Sequence, residues 1–262
     1  LDGLMEGGLQ LGGDAAAGGH IAQSGNTVQE ALAALDGVLA PRSSGGVIAH
    51  EQDVYTQYVC AVFIYNIVRD YSPEDVEMWF IDPKATVLHR LLWIPHVVQY
   101  ADNDSDALLL LDLLDKEMRD RNKFCQAQDI EEYPGKAIYC FIDETADVIV
   151  RQGKEALKKF QTLLQMARSA NIHMVFCSQC FNRKLIPTEV QCNVTCVVGL
   201  KVRATDKVLS KLMVGDNSCC NLPRYGKGVI VTPDGISTED IPMYTEEDWN
   251  ELRKTTLLRR VI

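Results

Sequence analysis

Ala137-Ile138-Tyr139-Cys140-Phe141-Ile142 is an unbroken apolar run of strand length that ends in two adjacent carboxylates, Asp143 and Glu144. The run does not alternate with polar residues, so a strand built from it must be covered on both faces, as strands of parallel sheets are. Pro134-Gly135 breaks the chain just before it. Further strand patterns occur at Val47–Ala49, Val76–Ile81, His173–Ser178, Thr195–Val202 and Val229–Thr232, the last before a Pro-Asp-Gly turn. Helical patterns separate them: a nearly all-apolar helix over about Gln57–Tyr71, an amphipathic one over Leu108–Gln126, and another over Lys154–Ser169. The second carries acids early and Lys116, Arg119, Arg121 and Lys123 late, in the sense that complements a helix dipole. Strand and helix alternate throughout. That pattern specifies an α/β fold, a mostly parallel β-sheet flanked by helices on both faces.

The 262 residues suffice for one such domain. Residues 1–46 are Gly/Ala-rich and weakly patterned, with a short helix predicted over Thr27–Leu39 and the remainder expected to be partly flexible. Residues 47–244 hold the alternating elements. Residues 245–262 add a short acidic helix over Thr245–Arg253 and an apolar-basic tail, Leu257–Ile262. No uninterrupted apolar stretch reaches about 18 residues, and no basic-then-apolar leader starts at Leu1, so a cytoplasmic location is expected, including as a soluble part of a membrane-anchored protein.

A net charge of −10 argues against a surface that grips nucleic acid by charge alone. It leaves room for a DNA channel assembled from local basic loops. The nine cysteines are an odd number that suits a reducing compartment better than a disulfide framework. Cys177/Cys180, Cys192/Cys196 and Cys219/Cys220 could converge on zinc, but they lack the paired spacing of zinc ribbons. Several of the cysteines lie in apolar runs, where the residue behaves as a small hydrophobe. No metal site is assigned. His89, His96 and His173 read as structural, and Trp79 and Trp93 as core or subunit-contact aromatics. Arg151, Lys154, Lys158 and Lys159 read as a solvated helix face rather than a phosphate-contacting patch.

Chemistry in open α/β sheets collects at the carboxyl ends of the strands, which is where Asp143 and Glu144 fall. Four segments in order resemble the motor domain of the FtsK/SpoIIIE family, of the RecA-like P-loop NTPase fold. Glu77-Met78-Trp79-Phe80-Ile81-Asp82-Pro83-Lys84, with Ile94-Pro95-His96 after it, is similar to that family's strand ending in Asp-Pro-Lys. Ile142-Asp143-Glu144-Thr145-Ala146-Asp147 resembles its Walker B segment. Ala167-Arg168-Ser169-Ala170-Asn171-Ile172-His173 with Ser178-Gln179 resembles the passage to its sensor, and Gly226-Lys227-Gly228 its late hairpin. Leu11-Gly12-Gly13-Asp14 through His20-Ile21-Ala22 is similar to the family's leading segment. The resemblance implies that Asp143 is a metal-associated acid, Glu144 the base that polarises water, and Gln179 a sensor. It also implies trans-acting basic groups near Arg203 and Lys207.

The phosphate loop departs from the family pattern Gly-x-x-Gly-x-Gly-Lys-Ser/Thr. The matching positions read His50-Glu51-Gln52-Asp53-Val54-Tyr55-Thr56-Gln57. Glycines let backbone amides approach phosphates, and the lysine neutralises them. Here Thr56 replaces the lysine, Gln57 replaces the magnesium-holding hydroxyl, and Glu51 and Asp53 add negative charge. Asp143, Glu144 and Gln179 are therefore expected to be vestigial or weak, with ATP and magnesium bound weakly or not at all.

The reading that follows is a domain of a translocation machine, similar to the type VII secretion ATPases of the EssC/EccC group, acting in coupling or substrate recognition. Its expected partners are neighbouring ATPase domains or subunits, arranged by resemblance in a hexamer, and a peptide of a secreted substrate. The alternatives are an ATP-driven DNA translocase or conjugative-transfer motor, which the Asp-Pro-Lys form favours, and a cysteine-based metal-binding protein.

Overall fold

The apolar runs assemble side by side into one eight-stranded sheet in the order β3-β2-β4-β5-β1-β6-β7-β8. The strands are β1 (Gly45–Ala49), β2 (Val76–Ile81), β3 (Val97–Ala101), β4 (Ala137–Ile142), β5 (Ile172–Ser178), β6 (Cys196–Gly199), β7 (Lys227–Thr232) and β8 (Gly235–Asp240). The computed structural model describes residues 45–49, 53–85, 88–178, 193–223, 226–242 and 244–259, with backbone alone at 45–49, 53–58, 146 and 257–259. Strands β3, β2, β4, β5, β1 and β6 run parallel; β7 and β8 add an antiparallel hairpin. β4 and β5 are buried along their whole length, as their unbroken apolar sequences require.

Helices cover both faces. On one, α1 (Asp53–Asp70) and the C-terminal α6 (Glu246–Arg259) pack over Met78, Phe80, Tyr139, Phe141, Val175 and Cys177. Tyr65 of α1 stacks on Tyr244 with ring centroids 3.8 Å apart and meets Trp249 edge-on at 5.0 Å, which fixes α6 to the domain. On the other face lie α2 (Asp104–Gln128), α3 (Thr145–Met166), α4 (Lys207–Val214) and the single turn α5 (Ser218–Asn221), over Ile81, Ile138, Ile142, Met174 and Phe176. At Gly199 in β6 an added Cβ would lie 2.5 Å from Val214 Cγ1 and 2.7 Å from Cys219 Sγ, so glycine is what lets α4 and α5 approach the sheet.

The α/β expectation holds, and several boundaries move. α1 starts at Asp53 rather than near Gln57. α2 extends to Asp104, where Asn103 Oδ1 accepts from Asp106 N, and Asp129 closes it in the left-handed conformation. The bases of α2 lie more than a turn before its end and pair with its own acids: Lys116 with Asp120, Arg119 with Asp115, and Arg121 with Glu117. The helix expected at Lys154–Ser169 is the second part of α3, whose first part begins at Thr145. Gly153, with φ 63° and ψ −142°, breaks the two parts apart.

The strand expected at Thr195–Val202 is only Cys196–Gly199. Val229–Thr232 is not the last strand, because β8 follows it across the Pro-Asp turn. The edge strand β3 and helices α4 and α5 had no counterpart in the sequence reading. The predicted helix at Thr27–Leu39 lies outside the described residues. No helix among the described residues is long and apolar enough to cross a membrane.

Candidate functional site

The register of the sheet brings the motif segments together. Ile81 lies beside Ile142, Ile142 beside Phe176, and Ser178 beside Ala49. The carboxyl ends of β2, β4, β5 and β1 therefore form one edge, from which Asp82, Asp143, Gln179 and residues 50–57 continue. β5 stands between β4 and β1, so the acids of β4 face the start of α1 across the end of one intervening strand.

Asp82 is fully buried at this edge. Its backbone N–H donates to Ala101 O (2.8 Å), and its Oδ2 accepts from Leu88 N (3.0 Å). It thereby ties the end of β2 to β3 and to the 3₁₀ turn Leu88–Leu91. Pro83 ends the strand by removing a donor, and Lys84 follows on the turn.

Asp143 and Glu144 are also buried. Asp143 N–H donates to Ile81 O at 2.9 Å, extending the ladder one residue beyond β4. Glu144 adopts φ 50° and ψ 48°, a left-handed conformation that costs a side-chain-bearing residue on the order of 1–2 kcal/mol. Its carbonyl accepts from Asp147 N at 2.8 Å and so starts α3. Thr145 Oγ1 donates back to Ile142 O at 3.2 Å. Strained backbone of this kind clusters at functional edges.

Lys84 joins the two acidic segments. Its Nζ lies 3.0 Å from Asp147 Oδ2 and 4.0 Å from Glu144 Oε2. Partial burial pulls the Lys84 ammonium down. Its hydrogen bond to Asp147 and the charges of Glu144, Asp147 and Asp143 outweigh it, so the net shift is upward and the lysine stays charged. Lys84 and Asp147 were legible only as letters of the family motifs. That they meet follows from the β2–β4 register, since Asp147 stands three residues beyond Glu144 and hence on the same side of the first turn of α3.

Of the positions matched to the phosphate loop, Asp53, Val54, Tyr55, Thr56 and Gln57 belong to the backbone of α1, while His50, Glu51 and Gln52 lie outside the described residues. Only residues 50–52 separate β1 from α1. Gln179 directly follows β5 and also lies outside the described residues, as do Cys180 and Cys192.

The other singled-out residues have structural settings. His96 Nε2 is 2.9 Å from Tyr71 O, and His173 stacks on Tyr139 with centroids 4.6 Å apart. Arg151 pairs with Asp104, and Lys159 with Asp112, so part of the basic face of α3 clamps α2. Trp79 is buried, with its indole N–H donating to Glu77. Trp93 packs beneath the Arg253 guanidinium. Among the described residues no three His, Cys, Asp or Glu side chains are grouped to hold a metal ion. The thiol of Cys177 is pushed well up by its hydrogen bond with Cys60, by burial, and by the nearby acids. Burial also pushes Cys196 up to about 12 and Cys219 to about 11, which disfavours thiolate chemistry at these positions.

Comparison with known proteins agrees with this geometry. The family model "FtsK/SpoIIIE family" matches residues 58–137. The DNA translocase FtsK of Chlamydia muridarum is 25% identical over 197 residues, covering 66% of this chain and 25% of that protein. The chain thus spans about a quarter of the length of that curated relative. The cytoplasmic domain of the type VII secretion ATPase EccC from Thermomonospora curvata superposes with a TM-score of 0.68 at 14% identity, over 81% of this chain and 28% of that one. The pCW3 conjugation coupling protein TcpA, solved with ATPγS, gives a TM-score of 0.70 at 16% identity, over 83% and 65%. Residues 58–137 thus carry the likeness to the FtsK/SpoIIIE family, and the chain has the α/β fold of these two solved structures.

Proposed function

We propose that this chain is a coupling or substrate-recognition domain of a type VII secretion-like translocation ATPase, in which the nucleotide site is degenerate and ATP with magnesium binds weakly or not at all. The observation that carries the reading is the short β1–α1 connection. Residues 50–52 alone join the strand to a helix that already includes Asp53 through Gln57. A phosphate-cradling loop needs several consecutive backbone amides pointed at one anion, and a three-residue connection followed by the first turn of α1, without the loop's glycines and lysine, makes a poor cradle. At the acidic side, Asp147 and Glu144 lie 3.0 and 4.0 Å from Lys84 Nζ, and buried Asp143 and Asp82 stand at the same strand edge. A triphosphate brought to that edge adds negative charge where no lysine of the loop type answers it. In this reading Asp143, Glu144 and Gln179 are vestigial or weak. Neighbouring ATPase domains or subunits, a secreted-substrate peptide and a cytoplasmic location within a membrane-anchored machine belong to the same proposal.

The second reading is an ATP-driven DNA translocase or conjugative-transfer motor. It is supported by the intact Asp82-Pro83-Lys84 segment, by the FtsK relatives and by the likeness to TcpA. Titration of the chain with ATP, with and without magnesium, and phosphate release with and without DNA separate the two. The first reading expects affinity weaker than about 1 mM, no DNA stimulation, and no effect of Glu144→Gln. Micromolar, magnesium-dependent affinity with turnover abolished by Glu144→Gln establishes the motor. Thr56→Lys with Tyr55→Gly alone is expected not to restore tight binding while Glu51 and Asp53 remain.

A further inference from the structure

A P-loop ATPase fold implies a magnesium ion beside the acids that end β4, and the carboxylate edge of this chain is a poor fit for one. Magnesium takes oxygen ligands at about 2.0–2.1 Å in a near-octahedral shell. The position matched to the ion-holding hydroxyl is Gln57, and among the described residues no three His, Cys, Asp or Glu side chains are grouped for a metal. What stands against these carboxylates is an ammonium. Lys84 Nζ is 3.0 Å from Asp147 Oδ2 and 4.0 Å from Glu144 Oε2.

The backbone on both sides of Lys84 is fixed. Before it, fully buried Asp82 is held through Ala101 O and Leu88 N. After it, Ala85 at φ 50° donates its N–H back to Asp82 O (2.9 Å), closing a turn over Pro83 and Lys84. Pro83 restricts that turn further. We propose that Lys84 is a built-in counter-ion, whose ammonium takes the place of a hydrated divalent cation beside Asp147 and Glu144 and makes the folded edge independent of magnesium. The proposal rests on the reading of a degenerate nucleotide site and extends it from the phosphate loop to the acids. With the ammonium in place, an arriving cation meets a like charge at contact distance. With it removed, Asp147 and Glu144 lose that neutralising charge while buried Asp143 stands behind them, and a hydrated ion needs only one or two carboxylates.

Manganese binding to the chain without nucleotide, followed by water-proton relaxation and by thermal melting, tests it. The wild type is expected to bind manganese no more tightly than about 1 mM, with its melting temperature unmoved by the ion. Lys84→Met, and Lys84→Gln as a second neutral variant, should bind one manganese ion about tenfold or more tightly than the wild type and melt higher in its presence. Lys84→Arg should behave as the wild type, and Asp147→Asn added to Lys84→Met should abolish the gain. Neutral variants that bind no more tightly, a wild type with micromolar manganese affinity, a Lys84→Arg chain that matches Lys84→Met, or a gain that survives Asp147→Asn would each overturn the proposal. Tight ATP binding by the wild type would sink the degenerate-site reading, whereas unchanged manganese affinity in the neutral variants would sink the counter-ion alone.

Discussion

The two ends of the central strands are built on different principles. At the amino ends of β4 and β5 the polar groups are knitted into local structure. Arg121 of α2, nearly buried, donates to Lys136 O (2.8 Å) and Ala170 O (3.1 Å), and its guanidinium lies over the Tyr133 ring. Asn171, in a left-handed conformation natural to asparagine, donates to Gly135 O, and Ser169 bonds to Asn122. At the carboxyl ends, Glu144 and Asp147 lie beside Lys84, and left-handed backbone falls on Ala85 and Glu144, residues with no local reason to adopt it. The contrast separates where this domain is anchored from where it carries charge and strain. The second end has the character of a ligand edge.

Substitutions can break that contrast. Arg121→Ala should cost most, about 2–4 kcal/mol in urea unfolding, because it strands two buried carbonyls and removes the stem packed on Tyr133. A loss under about 1 kcal/mol would mean that the anchored end is not anchored by this residue. Asp82→Ala should cost about 1–3 kcal/mol, since Leu88 N–H loses a buried charged acceptor; a larger effect than at Arg121 would reverse the ranking of the two ends.

Lys84→Met should cost less than about 1 kcal/mol at neutral pH, as expected for a half-exposed ion pair. The folded-state pKa of Lys84 is raised, so its contribution is complete below the ordinary lysine value of 10.5 and is lost as pH rises through the higher folded value. The wild-type advantage over Lys84→Met should therefore disappear only in strongly alkaline solution. Tyr139→Phe should change stability least, within about 1 kcal/mol and towards gain, because the buried Tyr139 hydroxyl has no hydrogen-bond partner among the described residues. A clear loss there would reveal a buried water serving it.

The parts of the fold that were legible were those whose sequence answers to one environment. β2 and β4 are apolar on both faces, so no register or partner need be known to recognise them. β3 escaped because an edge strand reads as Val97-Val98-Gln99-Tyr100-Ala101, half exposed and preceded by a proline turn. α4 escaped because eight residues carry too little periodicity. At the site, Asp143 and Glu144 were visible as acids at the end of an apolar run. Their contact with Lys84 was not, because it depends on which strand lies beside β4, and Ile81 meets Ile142 only through pairing across some sixty residues. The bases of α2 misled for a related reason. Their spacing suits a dipole, yet each has a nearer acid one turn away.

The break at Gly153 divides α3 into a long rear part that includes Ala156, Phe160, Leu163 and Leu164 of the core, and two leading turns that set Val148 and Ile149 into the same core. Lys84 holds Asp147 at the front of that leading piece, while Arg151 and Gln152 hold Asp104, at the head of α2, from its back. Glycine tolerates the required backbone angles, and among the described residues no heavy atom lies within 4 Å of where its Cβ would stand, so conformation rather than crowding favours glycine there. The leading turns thus bridge the carboxylate edge and the head of α2.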